Sequence, residues 1–297
     1  MRQSVSGNPP AGALYFAGID IGSTMTKVVL TDEHSNLLAV VKGPTGPEHR
    51  RLANEVMRQA LEHAGLSIGD ISYIVATGYG RLNVPFADRQ ITELSCHARG
   101  VSSLFPKVRT AIDIGGQDAK CMRIANGRLV DFVMNDRCAA GTGRFLEVTA
   151  ATLGIKLEDM GAMSLRAAKR IKISSMCTIF AQQEVVSLLS QGEEPENILA
   201  GLHDALASRV AALARRLGIE PDVVLTGGVA KNIGMVKAMR ESLGVEVLVP
   251  EEPLTTGALG AAILAKEAYG RAAAAGEALP AKSRRLEEAT FFSQEQP

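Results

Sequence analysis

Two cysteines lie in settings where a thiol could react or bind a metal. Cys138 ends the polar run 135–137 and Cys177 ends the polar run 174–176, and in each case the following residues predict a helix. Free backbone N–H groups and partial positive charge at a helix start favour a thiolate. The same residues also suit a small buried hydrophobe, the usual fate of a free cysteine. The cysteines alone leave both interpretations open.

Two acid–glycine turns indicate a phosphate site. Asp20 is followed by Ile-Gly-Ser-Thr at 21–24, and Asp113 by Ile-Gly-Gly-Gln at 114–117. In such a turn, N–H groups and hydroxyls can hold a phosphate while the acid holds Mg²⁺ or its water. Lys27 would add a point charge. A single Asp-x-Gly is ordinary turn chemistry, but two copies predict a polyphosphate between two facing hairpins.

The two turns belong to a longer repeat. Residues 18–27 align with 111–120, so that Asp113 and Lys120 each lie 93 residues after Asp20 and Lys27. Residues 74–79 are echoed by 224–229 in the same order, which indicates an internal duplication of an α/β unit. The second echo continues as Leu-Thr-Gly-Gly-Val-Ala-Lys-Asn at 225–232. Its glycine pair would let a base and ribose lie against the backbone; the alternative is an ordinary strand-to-helix turn.

Hydrophobic periodicity and turn residues predict the elements that position these motifs. Strands are predicted at 14–20, 25–31, 37–42, 71–76, 223–226 and 245–249, with further strands around the second turn. Helices are predicted at 47–64, 139–153, 165–168, 178–190, 195–217, 229–243 and 256–268. We expect a first half at 14–107, a second half with the two cysteines at 108–269, and flexible tails at 1–13 and 270–297.

Composition narrows the class of protein. The chain has 297 residues, a formal net charge of +0 and 46% hydrophobic residues, so it can bury a large core and offers no charge signal for nucleic acid or membrane. Its four cysteines are too irregularly spaced for a disulfide framework. No run is apolar enough for a membrane span or a signal peptide. We expect a cytoplasmic protein in a reducing compartment.

This ordered set of motifs resembles the actin-like ATPase superfamily shared by sugar kinases, Hsp70 and actin. The sequence has neither a P-loop nor a dinucleotide-binding glycine motif after the first strand. The resemblance implies a duplicated α/β fold, with ATP or ADP and Mg²⁺ in the cleft between two halves.

Within that superfamily, residues 135–144 and 173–180 resemble the activators of 2-hydroxyacyl-CoA dehydratases and the related ATPase subunits of benzoyl-CoA reductase. Ala-Thr-Gly-Tyr-Gly-Arg at 76–81 and Glu-Leu-Ser-Cys-His-Ala at 93–98 extend the resemblance, which runs approximately from Phe16 to Tyr269. It implies one [4Fe–4S] cluster at a dimer interface with two cysteines from each subunit, here Cys138 and Cys177. The implied function is ATP-driven delivery of a low-potential electron to a partner that acts on a CoA thioester.

The resemblance also implies partners: a second copy or a paralogous ATPase subunit, the CoA-thioester dehydratase or reductase, and ferredoxin or flavodoxin as electron donor. No nucleic acid and no membrane is expected.

Cys121, in a strand, and Cys96, near a helix start, are interpreted as structural, and His97 as a hydrogen-bonded structural residue.

The predicted site residues fall into three groups. Catalysis is assigned to Asp20, Asp113 and Gln117. Nucleotide binding is assigned to Gly22, Ser23, Thr24, Lys27, Gly115, Gly116, Gly141, Thr142, Gly227, Gly228 and Lys231. Cluster ligation is assigned to Cys138 and Cys177.

Two other function classes stay open at this level. A small-molecule kinase would use the same ATP cleft but needs a general base for its acceptor, for which the sequence offers no evident candidate. A non-catalytic scaffold or chaperone would need neither Cys138 nor Cys177.

Overall fold

The computed structural model describes residues 12–136, 138–173, 177–280 and 284–287, and in this part the chain forms ten strands and eight α-helices. Of the predicted tails, residues 1–11, 281–283 and 288–297 lie outside the described residues. So do residue 137 before Cys138 and the whole polar run 174–176 before Cys177. The strands are β1 (Tyr15–Ile21), β2 (Met25–Asp32), β3 (Leu37–Pro44), β4 (Ile71–Thr77), β5 (Arg89–Gln90), β6 (Thr110–Ile114), β7 (Ala119–Ala125), β8 (Arg128–Asn135), β9 (Val223–Thr226) and β10 (Val247–Leu248). The helices are α1 (His49–Ala64), α2 (Glu93–Leu104), α3 (Gly143–Leu153), α4 (Met160–Ser164), α5 (Thr178–Ser190), α6 (Pro195–Leu217), α7 (Ile233–Leu243) and α8 (Thr256–Ala274).

The chain divides into two compact units, and the last helix belongs with the first sheet. One unit takes the chain up to Gly100 and again from Thr255, and the other takes Val101–Leu254. The sequence pattern predicts a second half that runs to residue 269 and includes α8. In the structure, α8 belongs instead to the unit that contains the first sheet. The difference arises from long-range packing, because Ala261 of α8 lies in one core cluster with Phe16 of β1.

The first sheet has the order β3-β2-β1-β4-β5, with β1 antiparallel to β2 and parallel to β4. Alternate residues of a strand face opposite sides of a sheet. Ile19 and Ile21 of β1 accordingly pack with Met57 of α1, whereas Phe16 packs with the alanines of α8. This sheet is therefore covered by helices on both faces.

The second sheet repeats the first in strand order and direction, as β8-β7-β6-β9-β10. The register is the same at the two acid–glycine turns. Asp20 pairs with Lys27 in the first hairpin, and Asp113 pairs with Lys120 in the second. The internal duplication predicted from the sequence is thus present in the two sheets, and it holds residue by residue at the two hairpins.

The predicted helices 139–153, 165–168 and 229–243 differ from the structure at or near their starts. The predicted helix 165–168 is absent from the described chain there, and the short helix α4 (Met160–Ser164) precedes it instead. The predicted helix 229–243 is divided into a 3₁₀ turn at Gly228–Lys231 and helix α7, because Asn232 caps α7 by accepting a hydrogen bond from Met235 N at 3.0 Å. The third difference, at the start of α3, concerns the site and is described below.

The C-terminal region is predicted to be a flexible tail from residue 270. Helix α8 instead continues to Ala274. Arg284, whose side chain is 8% exposed, binds Asp88 Oδ2 at 2.6 Å and Ile71 O at 2.6 Å. Residues 284–287 are therefore held against the first unit. Among the residues that the structure describes, none of the helices combines the length and apolar character that crossing a membrane requires.

Candidate functional site

The first acid–glycine turn holds a buried carboxylate with one unused oxygen. Asp20, at the end of β1, is 1% exposed and accepts a hydrogen bond from Lys27 Nζ to Oδ2 at 3.0 Å. Among the described residues, no donor reaches its Oδ1. A buried polar atom without a partner is rare in proteins and is expected where a ligand or ion completes the site. This oxygen therefore suits Mg²⁺ or a water bound to it.

The turn that follows Asp20 is open to solvent. Gly22 N donates to Met25 O at 3.1 Å and closes the turn, which leaves Ser23 and Thr24 exposed. Exposed hydroxyls and backbone N–H groups at a tight turn are suited to a phosphate. The predicted phosphate-binding residues of this hairpin thus lie together beside the acid.

The second turn holds its acid more tightly. Asp113 is 3% exposed, and its Oδ1 accepts a hydrogen bond from Thr226 Oγ1 at 2.9 Å. Lys120 Nζ lies 3.8 Å from Asp113 Oδ2 and 2.7 Å from Asp118 Oδ1. Gln117, the third predicted catalytic residue, is exposed in the turn. The buried ammonium group of Lys120 thus lies close to the carboxylates of both Asp113 and Asp118.

Sequence reasoning missed three residues of the second site: Lys120, Thr226 and Asp118. Lys120 belongs to the sequence repeat but was given no role, although its position matches that of Lys27. Thr226 also had a sequence signal, because Thr226-Gly227 repeats Thr77-Gly78; in the structure Thr226 pairs with Asp113 as Thr77 pairs with Asp20. Asp118 had none, since the first hairpin has Met25 at the matching position.

The equivalent glycines after β4 and β9 approach the acids closely. Gly78 and Gly227 both have φ +84°. A Cβ on Gly78 would lie 2.4 Å from Asp20 Oδ1, and one on Gly227 would lie 2.4 Å from Ile114 O and 3.0 Å from Asp113 Oδ1. Left-handed φ and lack of space both require glycine here. Each acid is thereby packed directly against a backbone turn.

The glycine-rich turn after β9 exposes part of its surface. Gly227 is buried and its N–H donates to Pro253 O at 3.0 Å, while Gly228 is exposed. Lys231 is also exposed, with Nζ 3.8 Å from Glu252 Oε2. The predicted binding of base and ribose at this turn stays a prediction.

Helix α3 begins at Gly143 and not at Ala139, so the prediction that Cys138 lies directly at a helix N-terminus is wrong. Thr142 is the N-cap residue, and Gly141 before it has φ +98°, a left-handed conformation that a helix does not continue through. Cys138 is exposed and lies in the loop that leads to this cap.

Side chains fix the loop that carries Cys138. Asn135 Nδ2 donates to the carbonyl oxygens of Cys138 at 2.9 Å and Ala140 at 3.1 Å. Thr142, which is fully buried, donates its hydroxyl to Ala139 O at 2.7 Å. Thr142 thus has an internal hydrogen-bond partner in the loop. Its predicted role in nucleotide binding, and that of Gly141, stay predictions.

The start of α3, which follows the Cys138 loop, is joined to the second acid–glycine turn by backbone hydrogen bonds. Gly143 N donates to Gly115 O and Arg144 N donates to Gly116 O, both at 2.8 Å. These are first-turn N–H groups of α3, which have no partner within their own helix. The turn at Gly115 and Gly116 is therefore in direct contact with the start of α3, into which the Cys138 loop leads.

Cys177 lies at a helix start, as predicted. It is the N-cap residue of α5 and is exposed, and within the described residues its side chain makes no capping hydrogen bond. The next apolar residues are also exposed: Ile179 by 65% and Phe180 by 63%. Helix α5 packs against α3. The second unit thus presents two exposed thiols on neighbouring elements, one of them beside exposed apolar side chains.

Comparison with known proteins decides the family. The model of the BadF/BadG/BcrA/BcrD ATPase family matches residues 17–265. The chain belongs to the BadF/BadG/BcrA/BcrD ATPase family. The activator of lactoyl-CoA dehydratase from Anaerotignum propionicum is 49% identical over 261 residues, which cover 86% of this chain and 98% of that protein. A benzoyl-CoA reductase component from Thauera aromatica is 33% identical over 259 residues, covering 83% and 91%.

Solved structures agree with this membership of the BadF/BadG/BcrA/BcrD family. The activator of 2-hydroxyisocaproyl-CoA dehydratase from Clostridium difficile with bound ADPNP superposes with a TM-score of 0.83 at 43% identity, covering 90% of this chain and 100% of that one. A ROK family glucokinase from Streptomyces griseus shares the fold alone, with a TM-score of 0.55 at 15% identity and coverage of 85% and 99%. The predicted fold class, a duplicated actin-like ATPase fold, is confirmed.

The other two cysteines of this family member are buried, as expected. Cys96 and Cys121 are both fully buried, and desolvation by burial raises the pKa of each thiol to about 12. Such thiols stay protonated and unreactive at neutral pH. His97 is 4% exposed and its Nδ1 shares a hydrogen bond with Thr256 Oγ1 at 3.0 Å, in agreement with a structural role.

Proposed function

We propose that this ATPase drives the transfer of a low-potential electron from a [4Fe–4S] cluster, shared between two chains, to a partner of the 2-hydroxyacyl-CoA dehydratase type. The observation that carries the proposal is the pair of 2.8 Å hydrogen bonds that join the second phosphate turn to the start of α3, beside the Cys138 loop. A nucleotide-dependent movement of the turn would reach the start of α3 through one contact, and Cys138 lies five residues before Gly143.

The chain's own residues suit the nucleotide chemistry. We assign to Asp20 the role of front acid and to Asp113 the role of metal-side acid, with Gln117 positioning the attacking water. The unused Oδ1 of Asp20 supports a site for Mg²⁺ or its water. The two turns, with Lys27, would bind phosphate oxygens, and the turn at Gly227, Gly228 and Lys231 would bind the base and ribose.

Cys138 and Cys177 suit an iron–sulfur cluster by number, exposure and setting. A [4Fe–4S] cluster is held by four thiolates, and it supplies the one-electron redox chemistry. One chain has two exposed thiols, so two chains related by a two-fold axis would supply all four. The first-turn N–H groups of α5 would stabilise the thiolate of Cys177. Exposed Ile179 and Phe180 beside it support burial of this surface by a second chain, either a copy or a paralogous subunit.

The partner is proposed from degrees of similarity. Identity is 49% to an activator of a dehydratase and 33% to a benzoyl-CoA reductase component, which favours a dehydratase as the partner. Ferredoxin or flavodoxin would supply the electron, in a reducing cytoplasm that keeps all four thiols free. A small-molecule kinase on the same fold would need no exposed cysteine pair.

Reconstitution tests the proposal. The anaerobically purified chain, reduced with dithionite, is mixed with the activator-free dehydratase component of the lactoyl-CoA enzyme, and substrate dehydration is measured with and without ATP. We expect activity only with ATP, and none with Cys177→Ser even though its ATP hydrolysis persists. Phosphorylation of a sugar or carboxylate by the wild-type chain, with no activation of a dehydratase or reductase component, would contradict the proposal.

A further inference from the structure

A buried histidine in the second unit has no role in the proposed chemistry. His203 of α6 is 1% exposed, and both of its ring nitrogens have hydrogen-bond partners. Nδ1 lies 3.0 Å from Ser164 Oγ of α4, and Nε2 lies 3.2 Å from Asn232 Nδ2 at the start of α7. One imidazole thus connects three helices.

The partners determine which nitrogen of His203 carries the proton. Asn232 accepts from Met235 N through Oδ1, so its Nδ2 is the atom that donates to His203 Nε2. His203 Nδ1–H must then donate to Ser164 Oγ, whose own hydroxyl donates to Gly161 O at 2.9 Å. The result is a directed series of hydrogen bonds that runs from Asn232 through His203 and Ser164 to Gly161 O of α4.

Asn232 places one end of this series of hydrogen bonds beside the proposed nucleotide-binding turn. It directly follows the turn Gly228–Lys231, to which we assign base and ribose binding, and it caps α7. These groups are closely packed, because a Cβ on Gly234 would lie 2.2 Å from Ser164 Oγ and 2.7 Å from His203 Nδ1. Close-packed groups of this kind pass on a displacement and do not absorb it.

The first two turns of α6, which precede His203, hold the segment that leads to Cys177. Asn197, which is 6% exposed, accepts hydrogen bonds through Oδ1 from Ala168 N at 3.0 Å and Lys169 N at 3.1 Å. A Cβ on Gly201 would lie 1.7 Å from Ile171 O, so the segment lies directly on the helix backbone. Helix α6 therefore contacts both the turn after β9, through Asn232, and residues 168–171.

We propose that His203 and Asn197 are positioning residues that couple the glycine-rich turn 227–231, through helix α6, to the segment 165–173 before Cys177. The inference rests on the proposed function, since it assigns to α6 the transmission of the nucleotide state toward the thiol. It adds a second connection, to Cys177, beside the direct one from Gly115 and Gly116 to the Cys138 loop.

Two matched variants separate coupling from structural support. In His203→Gln the longer side chain places its amide oxygen near the position of Nε2, where it accepts from Asn232. In His203→Asn the shorter side chain places its amide nitrogen near the position of Nδ1, where it donates to Ser164 and does not reach Asn232. Each variant thus keeps one of the two hydrogen bonds of His203. His203→Gln loses the bond to Ser164, and His203→Asn loses the bond to Asn232 and with it the connection to the turn.

The readout is hydrogen–deuterium exchange of peptides that cover 165–173, with and without saturating Mg-ADP, while calorimetry measures ADP binding. In the wild type and in His203→Gln, we expect ADP to slow exchange of the Ala168 and Lys169 amides about fivefold or more, a typical coupling strength. In His203→Asn, the change should fall below about twofold, although ADP still binds.

Three results would overturn the inference. ADP binding to the wild type without a change at 165–173 would remove the coupling and leave the proposed function intact. An equal response of the two His203 variants would make the histidine merely structural. Absence of ADP binding in the wild type would overturn the proposed function together with the inference. If a His203 variant does not fold, Asn232→Ser decides, because serine can still cap α7 but does not reach His203; retention of the wild-type response would then refute the coupling.

Discussion

The buried histidine predicts a specific sensitivity to acid. Burial lowers the pKa of His203 from 6.5 to about 4 in the folded chain, so the unfolded chain binds this proton more tightly. A group with a lowered folded pKa contributes stability above its unfolded pKa, and that stability is lost as pH falls from about 6.5 toward 4. Between pH 7 and pH 5, these pKa values give a loss of about 2 kcal/mol from this one residue.

The perturbation is His203→Gln, which removes the titration and keeps an acceptor for Asn232. Other ionisable groups line the surface pocket beside the histidine, namely Lys169, Arg170, Asp204 and Lys237. They are present in both proteins, so their titrations cancel in the difference. Urea unfolding at pH 7, 6 and 5 measures the free energy of unfolding of each protein.

We expect the variant to be less stable than the wild type at pH 7, because it loses the bond to Ser164. On going to pH 5, the wild type should lose about 2 kcal/mol more stability than the variant, so the two curves converge. Parallel curves over this range would refute the reasoning, since they would mean that His203 is not held neutral by burial.

Three further predictions concern the thiols and the nucleotide. Asp20→Asn and Asp113→Asn should each reduce Mg-dependent ATP hydrolysis at least about a hundredfold, because metal positioning stabilises the charge of the transition state; a wild-type rate for Asp113→Asn would show that the phosphate site is misplaced. In metal-free protein at pH 8, Ellman's reagent should titrate Cys138 and Cys177 within minutes and leave Cys96 and Cys121 unreacted until denaturant is added, since the buried thiols have their pKa raised to about 12; four fast-reacting thiols would contradict their burial. The cluster's midpoint potential should differ between the ADP and ATP-analogue states, and a shift of about 59 mV would correspond to a tenfold change in a one-electron equilibrium; identical potentials would exclude control by nucleotide.

Local sequence signals were enough to predict the two hairpins. Asp20 and Asp113 each end an apolar strand and precede a glycine turn, and the same offset relates Lys27 to Lys120. Those features depend on neighbours in sequence, which is why both hairpins form at the predicted turns and have the same register. The same reasoning located Cys177 at the start of α5.

Features decided by distant contacts were not predictable in this way. The start of α3 was placed too early because the spacing of apolar residues does not reveal the left-handed conformation of Gly141. Nor does it reveal the two carbonyl oxygens to which Asn135 donates. Helix α8 was assigned to the wrong unit because its alanines carry no mark of the sheet they cover. His203 was missed because its partners, Ser164 and Asn232, lie 39 and 29 residues away.

Iron and acid-labile sulfide analysis of the four cysteine variants tests the central claim, that two exposed thiols per chain hold a shared cluster. The anaerobically purified wild type should contain about two iron and two sulfide per chain, as one [4Fe–4S] cluster in two chains requires. Cys138→Ser and Cys177→Ser should each lose the iron, while Cys96→Ala and Cys121→Ala should keep it. A wild-type iron content in Cys138→Ser would contradict the account.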